Sequence, residues 1–594
     1  MTEPERNSLA SYAAAIGPPI RAALEGLLVT LASVGFALSY GWNYGVDNQV
    51  VYFLEALHMV HGVLGKDWFA SSTTQYHMFF KYLAAPLVAL SERGVAVGVA
   101  TTVIIAGGMG CIYALLRVLA GRRAALGGFA AVVGLAWLTR TNGPMSTYVF
   151  DEILQPSLVA SFFLLAAVPF FARGQWLAAG ACIAGCGLFH ANFLLLSMAS
   201  CFFAHLALGQ RGFWPRAILT LILPSLVLLF FIPTILRTAG SPDAARAQEI
   251  YVHIRAPHHF VTAGRERDFF PLAGWSLLGL GAAGALGRGR SEATRVAALV
   301  LGMLVMVWGG LAAWQLTDKL AIAQLFAWRI APHATLLLQA ITLAWAARSI
   351  FERAEPVPPA GAAAMVAGLG VVCVYYADRE TVPIAWLLLA VAALIAVARL
   401  VASLGGGLPL AVRRPLSKSW HVVGGFLAMA LLFQKTLKTI DEPLGKWFEK
   451  RSTVFSGPTG PSRNDLDLYA WMRTQPKDAQ FLTPPDQEGI RYMGQRPIVV
   501  DWKSNPVVPS EILEWYRRLG AVTGNTSIDN RRDLSGYDRM DAERLEKLKA
   551  EFKLRFAIVR RGREQGLGDY PVVFSSPRFV VIDLAKSGGA ANGN

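Results

Sequence analysis

The sequence predicts an α-helical polytopic membrane protein with about 13 transmembrane helices and a small C-terminal α/β soluble domain. Hydrophobic residues make up 54% of the chain and charged residues only 16%, which leaves too little polar surface to cover a soluble core of this size. The charges are also unevenly placed: 46 lie in the 157 residues from Lys438 onward, and 49 lie in the 437 residues before it. We therefore expect a transmembrane domain over 1–437 and a soluble domain over 438–594.

The transmembrane prediction depends on apolar runs whose length is close to the roughly 20 residues needed to cross a bilayer. Their predicted bounds are 22–41, 95–118, 124–139, 156–172, 176–192, 193–209, 217–236, 271–287, 296–313, 330–347, 360–376, 382–402 and 419–436.

The orientation follows from Lys and Arg, which concentrate in cytoplasmic connections. Basic residues fall in alternate connections along the chain, and an odd number of spans then places the N-terminus in the cytoplasm and the C-terminal domain outside, across a bacterial inner membrane. The residues in these connections are Arg117, Arg122, Arg123, Arg173, Arg211, Arg216, Arg288, Arg290, Arg295, Arg348, Arg353, Arg413, Arg414 and Lys418.

The long first outer loop, Gly41–Arg93, is half apolar. Between Val50 and Leu64 the apolar residues recur at helical spacing, which predicts an amphipathic helix on the membrane surface. Phe79–Leu90 predicts a second surface helix, because another span there would disturb the alternation of basic connections.

The C-terminal domain is predicted to mix helix and strand. We expect helices at 465–473, 510–519 and 542–552, and strands at 481–483, 497–500, 556–559, 572–574 and 579–582.

The formal charge of +15 has two interpretations. It reflects mainly cytoplasmic loops, or it marks a surface that attracts anionic lipid or lipid-linked phosphate. No basic stripe with interleaved aromatic residues is present, so nucleic-acid binding is not expected. The oligomeric state is not indicated by the sequence.

Three acidic residues lie at the predicted outer edge of the membrane. Asp47 follows the first span, and Asp151 and Glu152 follow the third. A charge at that depth is costly unless it is paired or functional. If the outer loops converge, the three carboxylates would meet, with Asp47 and Asp151 binding a divalent cation such as Mg²⁺ or Mn²⁺, or with one of the three deprotonating a hydroxyl. The alternative is that they are ordinary interfacial or helix-capping acids.

A second candidate site is the loop containing Arg255, His258 and His259. Arginine binds phosphate through a planar fork and histidine exchanges protons near neutral pH, so the loop suits a phosphate group at the membrane surface. The alternative is a solvated loop. Arg329 and His77, in other outer loops, are further candidates for substrate contact, with interfacial placement as the alternative.

Several of these features together resemble the GT-C superfamily of membrane glycosyltransferases. They are Asp47 just past the first span, helices in the first outer loop, a second span closed by Leu116-Arg117 to Arg123, and Asp151 before a span that ends in Arg173. The sequence departs from the family pattern in two places: Asn48 follows Asp47 where two adjacent acids are common, and the tail lacks a Trp-Trp-Asp sequence.

The tail from Trp471 to Lys503, together with the Arg-Ala-Pro-His-His loop, also resembles an uncharacterised family of bacterial membrane proteins. No reaction is assigned by that second resemblance.

The GT-C resemblance implies a GT-C-like transmembrane domain and transfer of a sugar from a polyprenyl-phosphate-linked donor in the lipid to an extracytoplasmic glycan, lipid or protein. Asp47 would act as the base or hold a cation, and Arg255 with His258 or His259 would stabilise the departing phosphate. Two alternatives remain: a transporter or flippase for a lipid-linked or anionic substrate, and a non-catalytic assembly protein. Convergence of the outer-loop residues is expected only for the enzyme.

Overall fold

The computed structural model describes residues 18–74, 77–90, 94–209, 211–288, 290–351, 359–377 and 465–585. The predicted spans at 382–402 and 419–436, and the predicted boundary at residue 438, lie outside these residues.

The part of the chain before residue 378 is almost entirely helical, as the apolar runs predicted. Its α-helices are α1 Pro18–Tyr40, α2 Gln49–Tyr52, α3 Leu54–His61, α4 Trp68–Ser72, α5 Phe80–Leu90, α6 Val95–Ala120, α7 Arg122–Thr139, α8 Pro156–Ala172, α9 Trp176–Phe189, α10 Ala191–Ala207, α11 Phe213–Leu228, α12 Ile232–Ala239, α13 Ala244–Glu249, α14 Pro257–Phe260, α15 Phe270–Gly287, α16 Ser291–Thr317, α17 Leu320–Leu325, α18 Ala331–Phe351 and α19 Pro359–Ala377. Short π and 3₁₀ turns cover Ile250–Arg255, Glu266–Phe269 and Ala327–Ile330, and a two-residue ribbon pairs β1 Asn142–Gly143 with β2 Thr147–Tyr148.

Within the described residues, five helical stretches are long and apolar enough to cross a membrane, and a sixth is added if α11 and α12, bent by 66°, form one span. The chain is therefore a multi-pass membrane protein. The predicted count of 13 is not confirmed: two predicted spans lie outside the described residues, and others form helices shorter than the roughly 20 residues that cross a bilayer, such as α9 with 14 residues.

The helices α9 and α10 form an antiparallel hairpin. His190 has extended backbone (φ −151°, ψ 103°) and separates them, and the rings of Trp176 and His205, at the two far ends, lie 5.1 Å apart. A Cβ at Gly180 would overlap the carbonyl oxygen of Thr220 on α11. Close packing of α9 against α11 therefore explains this glycine.

The two ends of the helical bundle differ in charge. At one end Arg122 pairs with Glu25 of α1, Arg290 donates to the carbonyl of Val118 at 3.2 Å, and Arg295 donates to that of Ala172 at 2.9 Å. Since α1 runs from Glu25 to the Asp47 loop, these arginines lie at the opposite end from Asp47. The predicted separation of basic connections from acidic loops is thus present in the structure.

The first outer loop contains the two predicted surface helices, with modifications. The 50–64 pattern forms α2 and α3, which are separated at the fully buried Phe53, and 79–90 forms α5. A further short helix, α4, is capped by Asp67, whose Oδ1 accepts from the amide of Ala70 at 2.9 Å.

The C-terminal unit is a small α/β domain, as predicted. A four-stranded sheet has the order β3-β4-β6-β5, with β3 parallel to β4 and the other pairs antiparallel. Its elements are α20 Leu466–Thr474, β3 Phe481–Leu482, α21 Ile490–Gly494, α22 Pro509–Thr523, a 3₁₀ helix Arg531–Arg539, α23 Ala542–Phe552, β4 Phe556–Arg560, β5 Val572–Ser575 and β6 Phe579–Asp583.

The strand predicted at 497–500 is wrong. Only a single parallel bridge joins Ile498 to Phe481: the amide of Phe481 donates to the carbonyl of Pro497 at 2.9 Å, and the amide of Val499 donates to the carbonyl of Phe481 at 3.1 Å. The amide of Ile498, on the other edge of this segment, donates to Asp67 Oδ2 at 3.0 Å.

The C-terminal domain packs directly on that loop. Tyr492 and Ile490 belong to the same hydrophobic core as Val50 and Leu54, and the hydroxyl of Tyr492 donates to that of Tyr44 at 2.8 Å. The segment that carries Ile490 and Tyr492 is thereby held against the loop that carries Asp47.

Candidate active site

The two acidic loops lie side by side. The amide of Asn43 donates to the carbonyl of Glu152 at 2.8 Å, and the side chain of Asn48 donates to Gln155 Oε1 at 2.9 Å. These bonds bring Asp47 together with Asp151 and Glu152, although 104 positions separate Asp47 from Asp151 in the chain. The predicted convergence of the three carboxylates is therefore present.

Asp47 is held by a strained turn. Its φ of 48° lies in the left-handed region, which Asp tolerates better than most residues, and Gly45 two positions earlier has φ 71°. The side chain is half exposed and forms an ion pair with Lys503 of the C-terminal domain. Strain retained beside a partnered carboxylate is typical of a functional turn.

Asp151 is half-buried at the base of the group. Gln155 Nε2 donates to Asp151 Oδ2 at 2.6 Å and also lies 2.5 Å from the hydroxyl of Tyr148. Burial raises the pKa of Asp151 to about 6, and the nearby charges of Glu152 and Asp47 add to the rise. This carboxyl therefore changes its protonation state close to neutral pH.

Glu152 is exposed, and its Oε1 accepts from the side chain of Asn43 at 2.7 Å. Each of the three carboxylates is therefore bonded to a protein donor: Asp47 to Lys503, Asp151 to Gln155, and Glu152 to Asn43. Within the described residues no group of three His, Cys, Asp or Glu is arranged to hold a metal ion. Asp47 and Asp151, which were expected to bind a divalent cation, hold protein donors on Oδ1 and Oδ2 respectively.

The predicted phosphate-binding loop lies against the same group. Arg255 Nη2 donates to the carbonyl of Lys503 at 3.2 Å, and its guanidinium lies 5.8 Å from the centre of the Trp502 ring. Its buried Nε has no hydrogen-bond partner among the described residues. Burial lowers the pKa of the neighbouring His258, as do Arg255 and Lys503, while Asp47 opposes the shift. His258 thus lies within electrostatic range of Asp47.

His259 is neutral at physiological pH. Burial lowers its pKa to about 3, and the nearby His258 adds to the fall. Its Nδ1 donates to the carbonyl of Met145 at 3.1 Å, so the proton resides on Nδ1 and Nε2 is an acceptor. Trp328 Nε1 donates to the His259 carbonyl at 2.8 Å, which ties this loop to the turn that contains Arg329.

Arg329 occupies the middle of an aromatic and histidine surface. Its guanidinium lies 5.5 Å from the ring centre of Phe193 and 5.3 Å from that of Phe326. Among the described residues no carboxylate lies within ion-pair distance of it. Its positive charge acts on the titration of Tyr148 and His259, so the guanidinium faces both the Asp151 loop and the His259 loop.

His77 lies on the far side of Arg329. Its Nδ1 donates to the carbonyl of Phe189 at 2.8 Å, and its ring lies 5.0 Å from that of His190 at the tip of the α9–α10 hairpin. Burial lowers the pKa of His77 to about 3, and the charge of Arg329 lowers it further. His190 Nδ1 and Asn192 Oδ1 are buried without hydrogen-bond partners among the described residues.

All the predicted site residues thus lie at one end of the helical bundle, around the acidic group and Arg329. Sequence reasoning missed Lys503, Tyr148 and Gln155 and left His190 undecided. For Lys503 a signal existed, since it ends the charged, turn-rich segment 496–503. Tyr148 and Gln155 carry no charge, and only the folding of their loop around Asp151 identifies them.

Together these groups are suited to moving a phosphate-linked group. A carboxyl with a pKa near neutrality can accept a proton from a hydroxyl. An arginine without a carboxylate partner among the described residues, flanked by neutral histidines, can bind a phosphate through charge-assisted hydrogen bonds.

The fold and this site define a multi-pass membrane protein whose C-terminal α/β domain packs against a group of acidic and basic side chains at one end of the helices. A family model described as a domain of unknown function, DUF6798, matches residues 463–522. No curated protein matches the sequence.

Two kinds of solved structure are similar to this chain. The archaeal oligosaccharyltransferase AglB from Archaeoglobus fulgidus, in complex with an inhibitory peptide and a dolichol-phosphate, is 13% identical, with 90% of this chain and 68% of that chain covered and a TM-score of 0.47. ArnT from Cupriavidus metallidurans, bound to undecaprenyl phosphate, is 14% identical, with 95% and 98% covered and a TM-score of 0.46. These distant likenesses assign no activity to this chain.

Proposed function

We propose that this protein is a membrane glycosyltransferase that moves a sugar from a polyprenyl-phosphate-linked donor to an extracytoplasmic acceptor. The single observation that carries the proposal is the convergence, at one end of the bundle, of Asp151 and Asp47 with Arg329 and Arg255. A base for the acceptor and cations for the leaving phosphate are the two functions that this reaction requires.

The phosphate of the donor is assigned to Arg329. Its guanidinium has no carboxylate partner among the described residues, and its charge acts on His190, whose buried Nδ1 has no hydrogen-bond partner among those residues. The buried Nε of Arg255 also has no partner among the described residues. A phosphate between these groups would satisfy polar atoms that are otherwise costly to bury.

The base is assigned to Asp151, because its pKa of about 6 leaves it mostly ionised at neutral pH and still able to accept a proton. The acceptor O–H gives its proton to Asp151 while its oxygen bonds to the anomeric carbon of the sugar. The bond from that carbon to the phosphate oxygen breaks, and its electron pair leaves with the polyprenyl phosphate. The departing phosphate is a weak base, so no strong acid is required, and Arg329 stabilises its charge.

A membrane-embedded donor fits this position. The reacting groups lie at the ends of apolar helices, where a lipid-linked phosphate would lie with its chain in the bilayer. By the positive-inside rule, the arginines at the opposite end of the bundle support a cytoplasmic position for that end. The proposed site would then face the outside of a bacterial inner membrane, together with the C-terminal domain.

The proposal is tested by lipid and glycan analysis of a strain that lacks the protein. We expect a polyprenyl-phosphate-linked sugar to accumulate and one envelope glycan, lipid or protein to lack that sugar. Wild-type protein should reverse both changes, and Asp151→Asn, expressed at the same level, should reverse neither. Unchanged polyprenyl-linked lipids in the deletion strain would contradict the proposal, and so would full rescue by Asp151→Asn.

A further inference from the structure

Lys503 is the residue of the C-terminal domain that enters the acidic group. Its Nζ forms an ion pair with Asp47 Oδ1, and only 17% of its side chain is exposed, compared with 50% for Asp47. Among the described residues, Asp151 and Glu152 have no ion-pair partner. Lys503 is therefore the one described cation in direct contact with the acidic group.

The position of Lys503 is set by a buried network. Arg491, 2% exposed, donates Nε to Asp67 Oδ2 at 2.9 Å and Nη1 to Asp501 Oδ2 at 2.5 Å. Asp501 in turn accepts from the amide of Ser504 at 2.6 Å, so the turn that carries Lys503 is fixed on both sides. A surface lysine without such support would hold no defined position.

The loop on the other side of the site fixes the same turn. Arg255 donates to the carbonyl of Lys503, and its guanidinium lies over the ring of Trp502. The indole of Trp515 donates to the carbonyl of Asp501 at 2.9 Å. The turn that carries Lys503 is thus held from the first outer loop, the Arg255 loop and helix α22.

A divalent cation and this lysine exclude each other at Asp47. Mg²⁺ or Mn²⁺ requires carboxylate oxygens within about 2–2.5 Å and would repel an ammonium group bonded to the same carboxylate. We infer that Lys503 supplies the fixed positive charge that faces Asp47 in the working protein, in place of a divalent cation. The inference builds on the proposed function and adds a positioning role for Lys503.

The same geometry gives a role to the region that matches the family of unknown function. Arg491, Asp501 and Lys503 all lie within residues 463–522. This region contributes the cation of the acidic group and the network that holds it, so it completes the site in addition to covering it.

The experiment measures Mn²⁺ binding by electron paramagnetic resonance on the full-length protein in lipid nanodiscs. Four proteins are compared: wild type, Lys503→Met, Lys503→Met with Asp47→Asn, and Lys66→Met. Lys66 is the matched control. Its Nζ forms an exposed ion pair with Asp478 Oδ2, at 2.8 Å, across the same interface. Thermal unfolding of each variant establishes that it is folded.

We expect wild type and Lys66→Met to show no Mn²⁺ binding that depends on Asp47. Lys503→Met should gain one Mn²⁺ site, and the added Asp47→Asn change should abolish it. Asp47-dependent Mn²⁺ binding by wild type would overturn the inference. A folded Lys503→Met protein that gains no Mn²⁺ site would overturn it as well.

These readouts do not depend on sugar transfer, so they separate this inference from the proposed function. If transfer is measured, Lys503→Met should lower it by about 100-fold and Lys503→Arg by less than about 10-fold, with a chelator having no effect on wild type. Loss of wild-type transfer on chelation, restored by Mn²⁺, would overturn the inference while leaving the proposed function intact.

Discussion

At the scale of single residues, the site depends on how burial and neighbours set the protonation of each group. Asp151 is half-buried beside two other carboxylates, so its pKa rises to about 6, whereas burial lowers the pKa values of His77 and His259 to about 3. At neutral pH the acid is mostly ionised and both histidines are neutral. Positive charge at the phosphate position therefore comes from arginine, and the histidines contribute hydrogen bonds.

The raised pKa of Asp151 predicts a pH dependence. As the pH rises through about 6, Asp151 loses its proton and becomes a base, so sugar transfer should increase and then level off. Asp151→Asn should lower transfer by about 100-fold or more and remove this rising limb. The measurement is transfer from a polyprenyl-phosphate-linked sugar between pH 5 and 8.

The matched control for that prediction is Glu152→Gln. Glu152 is exposed and its carboxylate accepts from the side chain of Asn43, so transfer should change by only a few-fold. Because the charge of Glu152 adds to the raised pKa of Asp151, the rising limb should remain but move to lower pH. An unchanged profile in Asp151→Asn would assign the base elsewhere.

Arg329 gives the second prediction at this scale. Arg329→Gln removes the charge and the planar fork, so we expect the half-saturating concentration of donor to rise by about 10- to 100-fold, the equivalent of about 1.5–3 kcal/mol. Arg329→Lys should restore donor affinity only in part, since a lysine cannot bind phosphate through two parallel hydrogen bonds. Lys319→Gln, at an exposed position near by, should leave donor binding unchanged. Equal donor binding by Arg329→Gln and wild type would remove Arg329 from the site.

At the scale of elements, short outer-loop helices and the C-terminal domain act as one structural unit. The cap of helix α4 is the fully buried Asp67, whose Oδ1 accepts from the amide of Ala70. Its Oδ2 accepts hydrogen bonds from Arg491 and from the amide of Ile498. One carboxylate thus joins two elements that are more than 400 residues apart in the chain.

Breaking this junction should be costly. Arg491→Met leaves two buried carboxylates, Asp67 and Asp501, without their cation, and we expect the free energy of unfolding to fall by about 3–5 kcal/mol. The domain should also become more sensitive to protease at the segment around Tyr492. Thermal unfolding and limited proteolysis in nanodiscs measure the two effects.

The comparison for Arg491→Met is Lys66→Met, which breaks an exposed ion pair at the same interface. Because Lys66 and Asp478 are both more than half exposed, we expect the free energy of unfolding to change by less than about 1 kcal/mol. Equal effects of the two substitutions would mean that the Arg491 network does not anchor the domain.

At the scale of the whole molecule, charge separates the two ends of the bundle. Arginines bonded to helix ends, such as Arg290 and Arg295, occupy one end, and the Asp47 loop with the C-terminal domain occupies the other. We expect the arginine end to be cytoplasmic. Alkaline phosphatase fused to the C-terminus should therefore be active, and green fluorescent protein fused there should not fluoresce. Fluorescence of the C-terminal fusion would reverse the proposed orientation and separate the site from the outer leaflet.

Much of this architecture was predictable from local sequence. The predicted spans that fall within the described residues coincide with helical structure, and helix α23 at 542–552 was predicted with its observed bounds. The predicted 497–500 strand is reduced to the single bridge between Ile498 and Phe481, and the amide on its other edge bonds to Asp67, which is distant in the chain. The helix predicted from Val50 to Leu64 is present as two helices that meet at Phe53, whose backbone stays in the right-handed helical region, and the second helix ends at His61.

The sequence by itself determined that the chain is a multi-pass membrane protein with a charged α/β tail, because hydrophobicity and charge act locally and are read directly from composition. It also identified Asp47, Asp151, Arg255 and Arg329 as residues whose charge required an explanation. Only the tertiary structure decided that these residues meet, and that Lys503 is the cation that faces Asp47. Ion pairs and buried hydrogen bonds join positions hundreds of residues apart, and no local pattern specifies which positions will be neighbours.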